Sequence, residues 1–367
     1  MKNPYLTIAG QTAPGDGILL KGVDLAISAD HVIIRHMRIR LGDIFQGSPD
    51  STGALAVIGK SNNVIFDHVS ISWGSDDTLG FWEEPTNITV QWSIISEGVA
   101  CGRKASCHSK GMLQGNSPLN TVSIHHNLIA NSADRNPYLQ TGLVDLINNV
   151  NHNTGGNPTH LHPYWASLKA NLVGNYFSKG PNSTAYAPIR LIGQLQSPNL
   201  AGSLAYISGN IHPVYRPNNS LPDLKVVMFT DGPPNFPTTT TRIPTMSYPS
   251  ETDAFKAYEE VLIEAGDSSQ LNADGTFSDR RSVIDARIVN EVRTGTGQLI
   301  ISTVNEVGGF PALRENVTPY TDSDHDGMSD VWEIKYGFNK NSAADGNGDR
   351  DGDGYTNLEE FLNGTPP

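Results

Sequence analysis

The sequence predicts an all-β protein built as a parallel β-solenoid, followed by a short acidic module of a different kind. Three observations carry this. Short β-rich units recur along the first two-thirds of the chain at intervals of roughly 20 to 35 residues, a period typical of repeat architectures. Within those units apolar residues alternate, and no helical period competes with them. The chain also holds 36 glycines and many asparagines, residues that tolerate the left-handed conformations tight turns need.

The units can be read in order. Met1 leads almost directly into a strand at Tyr5–Ala9, which suggests a missing upstream segment, because a solenoid end normally needs a cap. HVIIRHMRIR then begins at His31, NNVIFDHVSIS at Asn62, TNITVQWSIIS at Thr86 and NTVSIHHNLIA at Asn120. LVDLINN follows at Leu143, SLKANLVGNYF at Ser167 and SLAYISGNI at Ser203. Each is a β-rich run, one to four residues of polar or aromatic punctuation, and a second apolar step. Stacked as coils, they would bury one continuous core. An antiparallel sandwich is the rival, but the two-residue hairpin turns it favours are scarce. The unequal spacing places insertions at Gly42–Ser51, Val99–Ser109 and Asn131–Gln140, which would hang from the coils and build a groove on one side.

After Ile211 the rhythm fades, and Asn218–Pro249, rich in Pro, Thr and Asn, reads as a long surface excursion. From Glu251 to Ala265 the pattern predicts a helix stopped by Gly266, with Ala254, Tyr258, Val261 and Leu262 on one face. A second helix is expected around Val283–Val292, before the Gly295-Thr296-Gly297 turn. Both would cover an open end or side of the solenoid.

Composition narrows the function. The net charge is −13, but Asp322 to Glu360 alone carries 11 acidic and 3 basic residues, so an acidic polymer would meet a milder field on the main domain. No basic stripe suits nucleic acid. No apolar run approaches membrane-spanning length, so no membrane partner is expected. The N-terminus has no signal-peptide pattern. Cys101 and Cys107 are either a local disulfide of an exported protein or two buried thiols.

The tail is a distinct unit, residues 319–367 behind a main domain of 1–318. Asp322, Asp324, Asp326, Asp330 and Glu333 stand at positions 1, 3, 5, 9 and 12 of a loop with Gly327 at position 6. Asp349, Asp351, Asp353, Asn357 and Glu360 repeat the spacing around Gly354. A hard Ca2+ ion asks for such a set: several oxygens, a sharp turn at glycine and a bidentate Glu opening the next helix. Asp345 and Asn347 precede the second loop at the same alternate spacing and extend it. The module resembles the calcium-binding repeats of secreted bacterial enzymes, similar to dockerin and thrombospondin type 3 loops. Such calcium sites imply a secreted protein.

Four segments on successive units complete the reading. Asp67-His68-Val69-Ser70-Ile71-Ser72-Trp73-Gly74 is followed directly by Asp76-Asp77; then come His108-Ser109-Lys110-Gly111 and Arg135-Asn136-Pro137, with His125-His126-Asn127 before and Asn148-Asn149 after. Together they resemble the pectate lyases, the first polysaccharide lyase family. That resemblance covers most of Tyr5–Leu313. It implies a right-handed parallel β-helix and calcium-dependent β-elimination on polygalacturonate, a pectin-like acidic polysaccharide. Arg135 would take the C5 proton, and Lys110 would bind substrate. Asp76 and Asp77 would hold Ca2+, with Asp50 the nearest candidate for a ligand on the preceding coil. A guanidinium is the least easily deprotonated base, so nearby positive charge and desolvation would have to favour its neutral form. A basic residue that usually follows the catalytic arginine falls at Gln140, so one positive contact with the sugar is lost. Arg190, on a later coil, is a further candidate on the groove side. Asp67 and His68 are expected to hydrogen-bond within the strand turn rather than to act in catalysis. A monomer is expected. The alternatives are a pectin lyase, a lyase of another uronate polymer, or a non-catalytic polysaccharide-binding protein.

Overall fold

The alternating runs do become strands, and each stacks on its counterpart one unit later in parallel register. The structure is a computed structural model and describes residues 1–44, 53–100, 109–115, 121–245, 249–300, 302–314 and 317–367. Among these, a first sheet of nine strands runs from Leu6–Ala9 through Val32–Arg35, Asn62–Asp67, Thr86–Gln91 and Thr121–His125 to Thr238–Thr239. A second sheet of seven begins at Ile18–Lys21 and ends at Tyr176–Ser178. A third of eight begins at Leu25–Ile27 and ends at Val227–Thr230. Three parallel sheets visited in turn are consistent with a right-handed β-helix. The antiparallel sandwich is excluded, since the two-stranded hairpin Ser269–Leu271/Phe277–Asp279 is the one antiparallel sheet among the described residues.

Register decides what is buried. Val64, Ile88, Val122 and Val144 lie abreast on four coils, each 4% exposed or less, and they point into the solenoid with Phe66, Val90, Ile124 and Leu146. Burying each such side chain is worth about 1.5–3 kcal/mol. At the corner leaving the first sheet, seven successive coils pass through a left-handed residue: His36, His68, Trp92, His126, Asn148, Gly174 and Gly209. The rings of His36, His68, Trp92 and His126 stack along that corner. Inside it runs an amide ladder. The backbone N–H groups of Ser93, Asn127, Asn149 and Asn175 donate to the side chains of Asn127, Asn149, Asn175 and Asn210 at 2.9–3.0 Å. The turn's buried donors are thereby satisfied, as burial requires. Asn148 caps the outside of that ladder, its side chain donating to the Gly174 and Thr252 carbonyls.

Two expectations need correction. The segment 218–249 is not only a surface excursion, since Val227–Thr230 and Thr238–Thr239 add parallel strands to the third and first sheets. The rhythm is hidden there by prolines and by the shortness of the strands. The C-terminal region is also largely helical rather than a simple loop module. Helix α1 (Ala254–Glu264) and helix α2 (Val283–Thr294) are followed in the tail by α3 (Asp330–Tyr336) and α4 (Asn357–Asn363). Asp253 caps α1 through the N–H groups of Phe255 and Lys256, and left-handed Gly295 stops α2.

Helices α1 and α2 cover the second sheet, packing Val261, Leu262, Ile284 and Ile288 with Trp73, Ile94 and Leu128. The fixings are ionic as well as apolar. Arg38 and Arg280 meet Asp267, and Arg40 meets Asp285, all within 3.1 Å and at most 1% exposed. The tail forms its own small core of Met328, Trp332 and Phe361 on Leu271 of the hairpin. No described helix is long and apolar enough to cross a membrane.

Candidate active site

Of the three expected insertions, 131–140 lies along the leading edge of the third sheet, and 42–51 and 99–109 fall largely outside the described residues. Asp77 pairs in register with Lys110, and Lys110 bridges to Asp134, so three coils set these positions side by side. Arg135 follows in a left-handed conformation with φ 57°. Its carbonyl accepts from Met112, and its backbone passes so close to Gly111 that a β-carbon there would lie 2.9 Å from the Arg135 oxygen and 2.1 Å from Asn136 Oδ1. Glycine is therefore required beside Lys110 for the Arg135 turn to sit where it does. The Asn136–Pro137 peptide is cis.

The side chains converge. Arg135 Nη1 donates to both oxygens of Asp77 at 2.9 Å, and Lys110 Nζ lies 3.4 Å from Asp76 Oδ1. Burial, and secondarily the Asp76 charge, push the Asp77 carboxyl up to about 6 despite Arg135. Burial, then Arg135, lowers the Lys110 ammonium. Asp76, Asp77 and Asp24 line one hollow of about 260 Å³ floored by Leu55, Ala56 and Gly80. Carboxylates are the hard-oxygen ligands calcium takes, but these three are not among the described groups whose oxygens converge within 4.8 Å, and both Asp77 oxygens are held by Arg135. A larger hollow of about 480 Å³ lies on the outer face of the first sheet, but among its walls only His31 and Asp145 titrate.

The other expected residues are placed unevenly. Asp50, Cys101, Cys107 and His108 lie outside the described residues. Gln140 sits one rung past Tyr138, its N–H bonded to Gln114 and its Oε1 accepting from Trp165. Arg190 shares a row with Tyr138 and His160 on consecutive coils, and it is bound to Asp231 at 2.9 Å and to Thr230. Asp67 accepts from His68, Arg35 and Gln91. Those bonds, and the stacking of His68 on His36, place the pair in the corner between the first and second sheets, away from Arg135. Sequence reasoning missed Asp24, Tyr138 and His160. Asp24 gives no signal beyond preceding a three-residue strand, whereas Tyr138, three residues after Arg135, was open to notice. Its ring lies 5.7 Å from the Arg135 guanidinium carbon, and its hydroxyl meets His162.

In the tail, Asp322, Asp324 and Asp326 converge, as do Asp349, Asp351 and Asp353. Asp326 also closes on Glu333 and Asp345. Asp330 instead accepts from Ser323 and Lys340, and Asn357 from the Arg350 N–H while donating to the Asp345 carbonyl. The ninth position of each loop therefore ties the loop's own backbone. Asp345 turns towards the first loop rather than extending the second.

The parallel β-helix thus gathers a guanidinium, an ammonium and paired carboxylates on adjacent coils. No protein-family model matches the chain. The chain is 31% identical to a probable pectate lyase C of Aspergillus flavus over 99% of this chain and 79% of that protein. It is equally similar to those of Aspergillus fumigatus, over 99% and 79%, and Emericella nidulans, over 99% and 78%. The chain belongs to the pectate lyase family. Among solved structures, a Bacillus pectate lyase in complex with trigalacturonate covers 67% of this chain and 71% of its own at 18% identity and a TM-score of 0.48.

Proposed function

We propose that the protein is a calcium-dependent pectate lyase that cleaves (1,4)-α-D-galacturonan by β-elimination, leaving 4,5-unsaturated oligogalacturonates. The observation that carries this is the meeting of Arg135, Lys110, Asp76 and Asp77 on neighbouring coils of one groove. Arg135 takes the C5 proton of the bound uronate. Lys110, on the neighbouring coil, orients the uronate carboxylate. Asp76 and Asp77, with Asp24 in the same hollow, are the residues that would hold calcium. When bound there, the ion supplies charge withdrawal from the substrate carboxylate, which acidifies the C5 hydrogen. The C5 pair then forms the C4–C5 double bond, the C4–O bond breaks, and solvent protonates the leaving oxygen.

Gln140 in place of a basic residue gives the sugar one less positive partner, and Arg190 lies two coils further along the same groove. The tail is read as calcium-binding loops of the dockerin and thrombospondin type 3 kind, on a unit of 319–367 behind a main unit of 1–318. The protein is read as a secreted monomer without nucleic-acid or membrane partners. Groove carboxylates that hold calcium favour pectate, whose free uronates the cation attracts, over methyl-esterified pectin, the substrate of a pectin lyase.

The test follows ultraviolet absorbance of the conjugated product on polygalacturonate and on methylated pectin, with calcium and with excess chelator. A calcium-dependent rise on polygalacturonate, lost in Arg135→Lys, is expected. A flat trace on both polymers from folded protein would overturn the lyase reading; polymer binding without product would leave a polysaccharide-binding protein.

A further inference from the structure

The two tail loops are alike in sequence, but their surroundings differ. Around the first, Glu333 is fully buried and neither of its carboxylate oxygens has a hydrogen-bond partner. Asp324 Oδ2, Asp326 Oδ2 and Asp345 Oδ1 are buried and equally without one. Asp322, Asp324 and Asp326 hold the loop with their remaining oxygens, which accept from His325, Gly327, Asp326 and Met328 N–H groups. Both oxygens of Asp322 are engaged in this way, while Asp324 and Asp326 each keep one bare oxygen, and the three carboxylates converge. Lys335 donates to the Asp274 carbonyl, and Lys340 is committed to Asp330. Buried carboxylate oxygens left unpaired are costly, and mutual repulsion adds to that. A divalent cation in their midst removes both costs.

The fifth carboxylate comes from the second repeat. Asp345 reaches back so that its side chain, Asp326 and Glu333 place oxygens within 4.8 Å of one another. The approach is close enough that a β-carbon on Gly346 would stand 2.8 Å from Asp326 Oδ2. Around the second loop, Asp349, Asp351 and Asp353 are exposed and Glu360 offers one bare buried oxygen, but no described residue fills the role Asp345 plays at the first.

Asp345 is also wired to the solenoid. Its carbonyl accepts from Asn357 at the start of α4, and Asn357 N–H donates to Gly348. Helix α4 carries Phe361 into the small core, and its far end meets the first coils. There the Leu362 carbonyl accepts from Gln11, and the Asn363 side chain accepts from Arg35 at 2.8 Å.

We infer that the first loop is a five-carboxylate divalent-cation site (Asp322, Asp324, Asp326, Glu333 and Asp345) completed across repeats, and that filling it clasps the tail against the first coils of the β-helix. The inference rests on the calcium-loop reading of the tail and goes beyond it in the identity of the fifth ligand, the inequality of the two sites and the clasp. Ligand charge count sets calcium affinity, so the first site is the tight one and the second the weak one.

The test is calcium titration of the metal-free full-length protein by calorimetry, with thermal unfolding followed in parallel. Asp77→Asn protein is run beside it to identify binding at the groove. Wild type should show one tight class that survives Asp77→Asn and raises the melting temperature. Asp345→Asn should weaken that class by about tenfold or more and abolish the melting shift. Asp330→Asn and Glu360→Gln should leave it in place. If Asp345→Asn fails to fold, Gly346→Ala, which crowds Asp326 without removing a carboxylate, should weaken the same class. A tight class indifferent to Asp345→Asn or Gly346→Ala, or one abolished by Asp330→Asn, overturns the five-carboxylate assignment and spares the calcium-loop reading. Absence of any tight class outside the groove in wild type overturns both.

Discussion

Arg135 Nη1 donates to both carboxylate oxygens of Asp77, 2.9 Å to each, across the coil that carries Lys110. Asp77 thus has two suitors in the proposed mechanism, the guanidinium and the calcium ion. A cation that draws the carboxylate to itself loosens the arginine, which is then available to the substrate. Asp77→Asn should therefore cut activity at low calcium by about 10²-fold or more, with part of the loss recovered at high calcium through Asp76. A proton is a third competitor, since burial holds the Asp77 carboxyl near 6. Apparent calcium affinity should fall as pH drops below about 6 and recover when calcium is raised. Product formation across a calcium and pH grid checks this, and a calcium requirement unchanged by Asp77→Asn would remove the residue from the site.

Arg135→Lys keeps the positive charge but loses the planar guanidinium whose Nη1 donates to both Asp77 oxygens. We expect kcat to fall by about 10²–10⁴-fold, the usual scale for removing a positioned base, with KM little changed. Circular dichroism should be unaltered, because the Arg135 backbone is held by Met112 and Gly111 rather than by its side chain. Equal kcat in wild type and variant would rule out Arg135 as the base.

The coils were legible because one apolar alternation, repeated, leaves a stacked sheet few rivals; Val64, Ile88, Val122 and Val144 fall in line from spacing alone. Lys110 and Arg135 were legible through their local segments. Asp24 was not, because its place in the groove depends on which turn of the solenoid lies beneath Asp77, and no local pattern encodes that. The same holds for Asp345, which reads as an extension of the nearer loop yet folds back to the farther one. The strand Val227–Thr230 was hidden because edge coils tolerate proline and need little apolar alternation. Long-range ionic contacts were the least legible. Nothing in HVIIRHMRIR says that Arg40 will be sealed beneath a helix 245 residues later.

That buried pair gives a stability prediction. Asp285 accepts from Arg40 and from Ser70, both at 2.9 Å, and Arg40 is fully buried. Asp285→Ala leaves a sealed guanidinium without its counter-charge, and we expect a loss of about 3–5 kcal/mol. The exposed pair Lys60–Glu84, 3.3 Å apart, should yield at most about 1 kcal/mol on Glu84→Ala. Urea unfolding of the two variants side by side measures the contrast. Similar small losses in both would mean that α2 is held by its apolar face alone.

His36 supplies the pH dependence of folding. It is 3% exposed, stacked on His68, and burial, then the His68 charge, pushes it down to about 2. A histidine whose folded pKa lies below its unfolded value of about 6.5 stays neutral in the fold while the unfolded chain takes up a proton. Its contribution to stability is therefore complete above about pH 6.5 and drains away as pH falls, at up to about 1.4 kcal/mol per unit. His125 and His126, each lowered to about 4 by burial, act with the same sign. Asp77, raised to about 6, opposes them. His36→Asn keeps a residue that tolerates the φ of 49° at this corner and removes the titrating ring. Urea unfolding at about pH 6.5 and about pH 4.5, at fixed calcium, should show a shallower fall in the variant than in wild type, by up to about 1.4 kcal/mol per pH unit. Equal slopes would mean that His36 takes up its proton without leaving the ring stack, and the corner would then be a softer part of the solenoid than its burial implies.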